Sequence, residues 1–221
     1  MSNTIVRLLM IVPILLFSLT FHEFAHGYSA YLMGDNTAKR SGRLTLDPLA
    51  HLDPVGTLMI IWTTLTGFGI GWAKPVPVNS RNFRNLRMGM MLVAASGPLS
   101  NLLLAGLFAI PFRMAADGRI SSDLLPPLAA AVVVNVALAS FNLLPIPPLD
   151  GSRIVGSLLS GRAAYLYASL ERYGMFILLM LILLGLLGRL IMPILDTLGP
   201  LVVQWSGVPW WFFLMQYTAL F

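Results

Sequence analysis

The sequence predicts an all-α polytopic membrane protein of about four to six transmembrane helices, with a small membrane-associated β or re-entrant element. Three observations predict it. First, 57% of the 221 residues are hydrophobic and only 10% are charged, with a mean hydropathy of +0.80, whereas a soluble domain carries about 25% charged residues. A surface built from so few charges cannot stay wet, so lipid is the expected solvent and the bilayer the first expected partner. Second, the apolar residues gather into runs of about 20, the length that crosses a hydrocarbon core. Third, the 14 Lys and Arg, which give a net charge of +5, lie in short segments between those runs, as the loops of membrane proteins do. Nucleic-acid binding would need a clustered basic face with stacking aromatics, and none is visible. With no cysteine, disulfides and thiolate metal sites are excluded.

The first run, Ile5 to Phe21, continues without a break through His22–His26 to Met33 and has no small-residue cleavage site. It reads as a retained helix of roughly 42 Å, not a removed signal peptide. Gly34 to Pro54 is polar and rich in turn residues, and the alternation Arg43-Leu44-Thr45-Leu46-Asp47 suggests a short strand. The apolar run 55–70 has basic segments on both sides; re-entry keeps both clusters on one side of the membrane and is preferred to a full span. Met88 to Phe112 and Leu124 to Leu144 are expected spans, as is the Leu-rich run Tyr173 to Met192. The Trp-rich 201–221 segment either spans or lies along the interface, where Trp is favoured. The 12 Met read as adaptable packing.

With 55–70 re-entrant, ten of the 14 basic residues fall on one side: Lys39, Arg40, Arg43, Lys74, Arg81, Arg84, Arg87, Arg153, Arg162 and Arg172. The positive-inside tendency then places the N-terminus outside and the C-terminal end of the first helix toward the cytoplasm. A prokaryotic plasma membrane is the expected location. One membrane-embedded domain over 1–221 is expected, with a catalytic core over about 5–155 and membrane segments over about 173–221.

His22-Glu23-Phe24-Ala25-His26 has the pattern H-E-x-x-H. On a helix the two histidines share a face and can converge on one Zn²⁺, while Glu23 stands beside them as general base for hydrolysis. Three ionisable groups in an apolar helix are costly and mark function, which outweighs a chance packed cluster. A catalytic zinc needs a third protein ligand. Asp150, in the Pro-rich break after an apolar span, is preferred to His51; Asp47 and Asp53 read as turn residues. Asn142 either serves the site or caps the broken helix before Pro145. Asn101 either orients a ligand or packs between helices through Gly97 and Ser100, packing being favoured. His51 is placed at the entrance, beside the ligands, or in a solvated loop.

His22-Glu23-x-x-His26, Gly97-Pro98-x-x-Asn101 and Asn142-x-x-Pro145 running to Leu149-Asp150-Gly151 together resemble the site-2 protease family of intramembrane zinc metalloproteases, peptidase family M50, over about residues 5–155. The resemblance implies that Asp150 is the third zinc ligand, that Asn142 holds the substrate backbone, and that membrane-dipping β structure lies between the first two motifs. No stretch is long or polar enough for the PDZ or CBS domain of many members, so a compact member is expected. The implied activity is zinc-dependent endopeptidase cleavage of transmembrane protein or peptide substrates with one catalytic ion. An edge strand from 43–47 or 72–78 is expected to hold the unwound substrate by strand addition. The rival reading is a divalent-cation transporter that uses the same His/His/Asp cluster.

Overall fold

Apolar side chains cover much of the surface and several polar ones lie inside, unlike in a protein folded in water. On α4 (Leu86–Ala116), Leu99, Leu103, Leu107 and Ile110 stand outward, Leu103 at 64% exposure. The opposite face of the same helix buries Val93, Gly97, Asn101 and Ala105. The buried set elsewhere includes Ser18, His22, Asn135, Ser140 and Asp150. Apolar outside and polar inside is stable only against hydrocarbon, and the chain is an integral membrane protein.

The computed structural model describes residues 3–67, 69 and 71–220; Phe68 and Ile70 of the 55–70 run, and Phe221 of the last segment, lie outside them. The helices are α1 (Asn3–Leu32), α2 (Thr37–Arg40), α3 (Pro54–Thr66), α4, α5 (Leu125–Asn142), α6 (Asp150–Leu158), α7 (Gly161–Ser169), α8 (Gly174–Leu183), α9 (Leu187–Val203) and α10 (Trp210–Thr218). Five helical stretches among the described residues are long and apolar enough to cross a membrane: 8–32, 86–116, 122–142, 161–183 and 187–206. Helix α5 is central, touching α1, α4, α9 and α10, and it buries every residue from Ala129 to Val136, as a helix apolar all round must. Against it α4, α9 and α10 close the main apolar core through Phe112, Val132, Val203 and Phe213.

The expected β element is not there: the described residues contain no strand. Residues 71–79 form no regular secondary structure, and Pro75 and Pro77 have no N–H to give a ladder. The Val76 N–H between them goes to the Glu23 carboxylate. From the 43–47 segment, Arg43 donates its guanidinium to the carbonyls of Lys74 and Pro75, a side-chain tie in place of a strand pair. Among the described residues there is therefore no strand edge to receive a substrate strand. Within the described residues of the 55–70 run there is no hairpin but a 13-residue helix, α3 (Pro54–Thr66), capped by the Asp53 side chain and ended by Gly67 at φ 71°. It covers about 20 Å, short of a bilayer core.

The C-terminal spans also differ from expectation. The Leu-rich run 173–192 is cut at Gly185, which takes φ 66°, so α8 and α9 are separate helices. The 201–221 segment is cut at Gly207, φ 69°, and α10 is only nine residues, about 13 Å, too short to span. It packs inward instead: Phe213 stacks on Phe112 with centroids 4.0 Å apart, and Trp210 lies over Gly199.

Candidate metal centre

Three helices build the site. Helix α1 carries His22 and His26 one turn apart, their rings perpendicular at 89°. Helix α4 crosses them at Gly97, where a Cβ would lie 2.5 Å from His26 Nε2 and 2.6 Å from His22 Cε1. Only a glycine lets the backbone pass so close. The third part comes after α5, where the chain turns through Pro145, Pro147 and Pro148 and restarts as α6 with Asp150 in its first turn. Gly151 makes that turn possible, because a Cβ there would sit 2.2 Å from the Leu143 carbonyl oxygen.

The turn brings Asp150 Oδ2 to 3.2 Å from His22 Nε2 and 3.2 Å from His26 Nε2. The two Nε2 atoms are 3.0 Å apart. His22 Nδ1 lies 2.7 Å from Asn101 Oδ1, and His26 Nδ1 lies 2.7 Å from the Val93 carbonyl oxygen. Both of those oxygens only accept, so each Nδ1 carries a proton, and in the neutral form that a metal requires each ring presents a bare lone pair at Nε2. Two lone pairs and a carboxylate oxygen facing one another at this range cannot hydrogen-bond together. Asp150 Oδ2 is buried without a hydrogen-bond donor. A cation at the centre resolves all three groups. Tetrahedral zinc at 2.0–2.2 Å from its ligands sets them about 3.3–3.5 Å apart, close to the distances observed, so the donor set fits Zn²⁺.

Glu23 accepts the Val76 N–H at Oε2, at 2.7 Å. Asn101 is fully buried, with Oδ1 2.7 Å from His22 Nδ1. Asn142, the last residue of α5, donates its amide to the Leu138 carbonyl at 3.0 Å and is not part of the cluster. His51 is also outside the cluster: it is buried beside α3, with Nε2 2.9 Å from the Thr45 carbonyl oxygen. A cleft of about 510 Å³ opens between α4, α6 and α7, lined by Arg87, Met90, Ser152, Arg153 and Tyr167 among others but by none of the three clustered residues.

Two residues that sequence reasoning missed complete the polar interior. Asn135 on α5 and Ser18 on α1 are fully buried and bonded to Asn101. The signal was present in both. Ser18 precedes His22 by one helical turn, and Asn135 is a lone amide inside Ala129–Val136, where a polar group needs a reason.

Comparisons with known proteins bear on the same region. The model of the family described as Peptidase family M50 matches residues 109–185. The chain is 40% identical over 193 residues to "Putative zinc metalloprotease YwhC" of Bacillus subtilis (strain 168), covering 85% of this chain and 86% of that protein. It is 34% identical over 144 residues to "Putative zinc metalloprotease Rip2" of Mycobacterium tuberculosis, covering 64% of this chain and 54% of that one. "Zinc metalloprotease MJ0392" of Methanocaldococcus jannaschii is 26% identical over 200 residues, with 90% of this chain and 49% of that one covered. The chain thus spans most of the first and about half of the other two. No solved structure matches.

Proposed function

The chain belongs to peptidase family M50 and is a zinc metalloprotease, and from that premise we propose that it is an endopeptidase cutting transmembrane segments of membrane proteins within or near the bilayer. The observation that carries the proposal is the His22–His26–Asp150 cluster, with His22 and Asp150 buried, among helices whose outer faces are apolar. A hydrolytic centre so placed meets peptide bonds that are themselves in lipid.

His22, His26 and Asp150 would hold one zinc ion, which when bound would supply the Lewis acidity that makes water nucleophilic at neutral pH. Glu23 takes the proton of the attacking water and returns it to the leaving amine. The Val76 N–H fixes its Oε2 and leaves Oε1 to carry that proton. Asn142, at the mouth of the α5–α6 break, steadies the carbonyl of a substrate already unwound, since a helical peptide bond is shielded by its own hydrogen bond. The cleft past Ser152 brings water from the loop side, which the basic count assigns to the cytoplasm; the N-terminus is then outside, in a prokaryotic plasma membrane. The core over about 5–155 suffices for this chemistry, with 173–221 as supporting membrane segments.

Cation transport has no support: the relatives are named as proteases, and Glu23, which transport would not require, is held at a defined point. The test is Glu23→Gln in full-length protein reconstituted with a transmembrane peptide. Cleavage should fall by at least about 10³-fold, while zinc, counted by metal analysis, stays bound. Full cleavage by that variant would end the protease assignment of Glu23.

A further inference from the structure

Three fully buried residues on three helices form one chain of hydrogen bonds behind His22. Asn101 Nδ2 donates to Asn135 Oδ1 at 2.9 Å and to the Ser18 carbonyl oxygen at 3.3 Å. Asn135 Nδ2 in turn donates to Ser18 Oγ at 2.9 Å and to the Ala131 carbonyl oxygen at 2.8 Å. The amide orientations follow from these partners. Rotating Asn135 by 180° would set its oxygen against the Ala131 carbonyl and its NH₂ against the Asn101 NH₂. Rotating Asn101 would set its oxygen against the Ser18 carbonyl and turn an N–H toward His22. With Asn135 fixed, Asn101 has one orientation, in which Oδ1 faces His22 Nδ1 at 2.7 Å.

We propose that Asn135, held by Ser18, is a positioning residue for the metal centre. Acting through Asn101, it keeps the proton of His22 on Nδ1 and thereby presents Nε2 to the ion. His26 needs no such relay, because the backbone carbonyl of Val93 fixes its tautomer and a carbonyl cannot flip. His22 depends on an amide that can, and the second amide removes that freedom. Groups that orient metal-bound histidines typically change metal affinity 10–100-fold when lost, and here the orienting group is two side chains deep. The inference rests on the assignment of His22 as a ligand.

The experiment uses the full-length protein in detergent, stripped of metal and titrated with zinc against a chelator of known affinity. Asn135→Leu should weaken zinc binding 10–100-fold and Ser18→Ala by less. Asn101→Leu combined with Asn135→Leu should bind no more weakly than Asn101→Leu alone, because both act along one line. Ser140→Ala, which removes a buried hydroxyl on the same helix bonded only to the Val136 carbonyl, should leave affinity unchanged. In the metal-free state, ¹⁵N histidine shifts should show His22 as the Nδ1–H form in the parent protein and as a mixture in Asn135→Leu. Should Asn135→Leu not fold, Ser18→Ala read by affinity and by ¹⁵N shift decides. Unchanged affinity and tautomer in both variants, or additive losses in the double variant, would overturn the inference while leaving the site assignment intact. A parent protein that binds no zinc would overturn the site itself.

Discussion

At the scale of single residues, the centre is defined as much by what is missing as by what is present. The absent side chain of Gly97 is the space that the two imidazoles occupy. Alanine is the better helix former by about 1 kcal/mol, so an ordinary glycine in a helix would gain from Gly97→Ala. Here the added methyl meets ring atoms of His26 and His22 at 2.5–2.6 Å, distances at which something must move. Gly97→Ala should therefore lower zinc affinity at least about tenfold, while melting temperature holds or falls only slightly. Isothermal titration alongside thermal unfolding separates the two; unchanged affinity would mean that the rings can yield. The closeness of His22 and His26 was legible because H-E-x-x-H needs only helical spacing to bring its two histidines together. Asp150 was legible as an acid in a break after an apolar run. Asn135 was not read, because a single amide among alanines and valines gains meaning only once its partners on other helices are known.

Among the elements, the loops between α1 and α4 are tied down by one carboxylate. Asp35, just past α1 and fully buried, accepts from the Thr37 N–H and hydroxyl, the Asn79 N–H and the Asn82 amide. It thereby pins the far end of the segment whose Val76 N–H holds Glu23. Burial pushes its carboxyl up, but the hydrogen bonds from Thr37, Asn82 and Asn79 outweigh that and hold it below its ordinary 3.8. A carboxyl lowered on folding adds stability at pH values above 3.8, and that stability drains away as pH falls through the lowered value. Asp35→Asn should cost on the order of 1–3 kcal/mol at neutral pH, since an amide leaves some of these donors unpaired, and should flatten the acid limb of the stability curve. Unfolding followed between pH 7 and pH 2 checks both, and an acid limb as steep as the parent's would discount Asp35. The helices themselves could be read from runs of apolar residues: α1, α4 and α5 lie within a few residues of expectation. The strand at 43–47 and the single span over 173–192 could not. Alternation in a short segment does not reveal that the facing segment has spent its donors. In a uniformly apolar run, hydropathy is blind to the one glycine, Gly185, that adopts a left-handed turn.

For the molecule as a whole, the apolar surface makes a prediction that a soluble helical protein would contradict. Leu103 is outward on α4 and 64% exposed, a position where lysine would cost a water-soluble protein almost nothing. Near the middle of a membrane helix the same change costs about 2.5–3.5 kcal/mol of insertion free energy. Leu103→Lys should reduce the membrane-inserted fraction severalfold in a translocation assay, with Leu103→Phe as the tolerated control. Equal insertion of the lysine variant would remove α4 from the lipid-facing wall.

The distance along the chain between the two halves of the metal centre has a consequence in time. His26 and Asp150 are 124 positions apart in the sequence, and ribosomes add about 5–20 residues per second. With the ligands and base proposed above, the nascent protein would have the histidine pair and Glu23 without the third ligand for roughly 6 to 25 seconds of its own synthesis. A cutting centre assembled from both ends of that interval would stay inert until α4 and α5 have been made. The chain and its neighbours at the site of insertion would then be spared its activity while its helices enter the lipid.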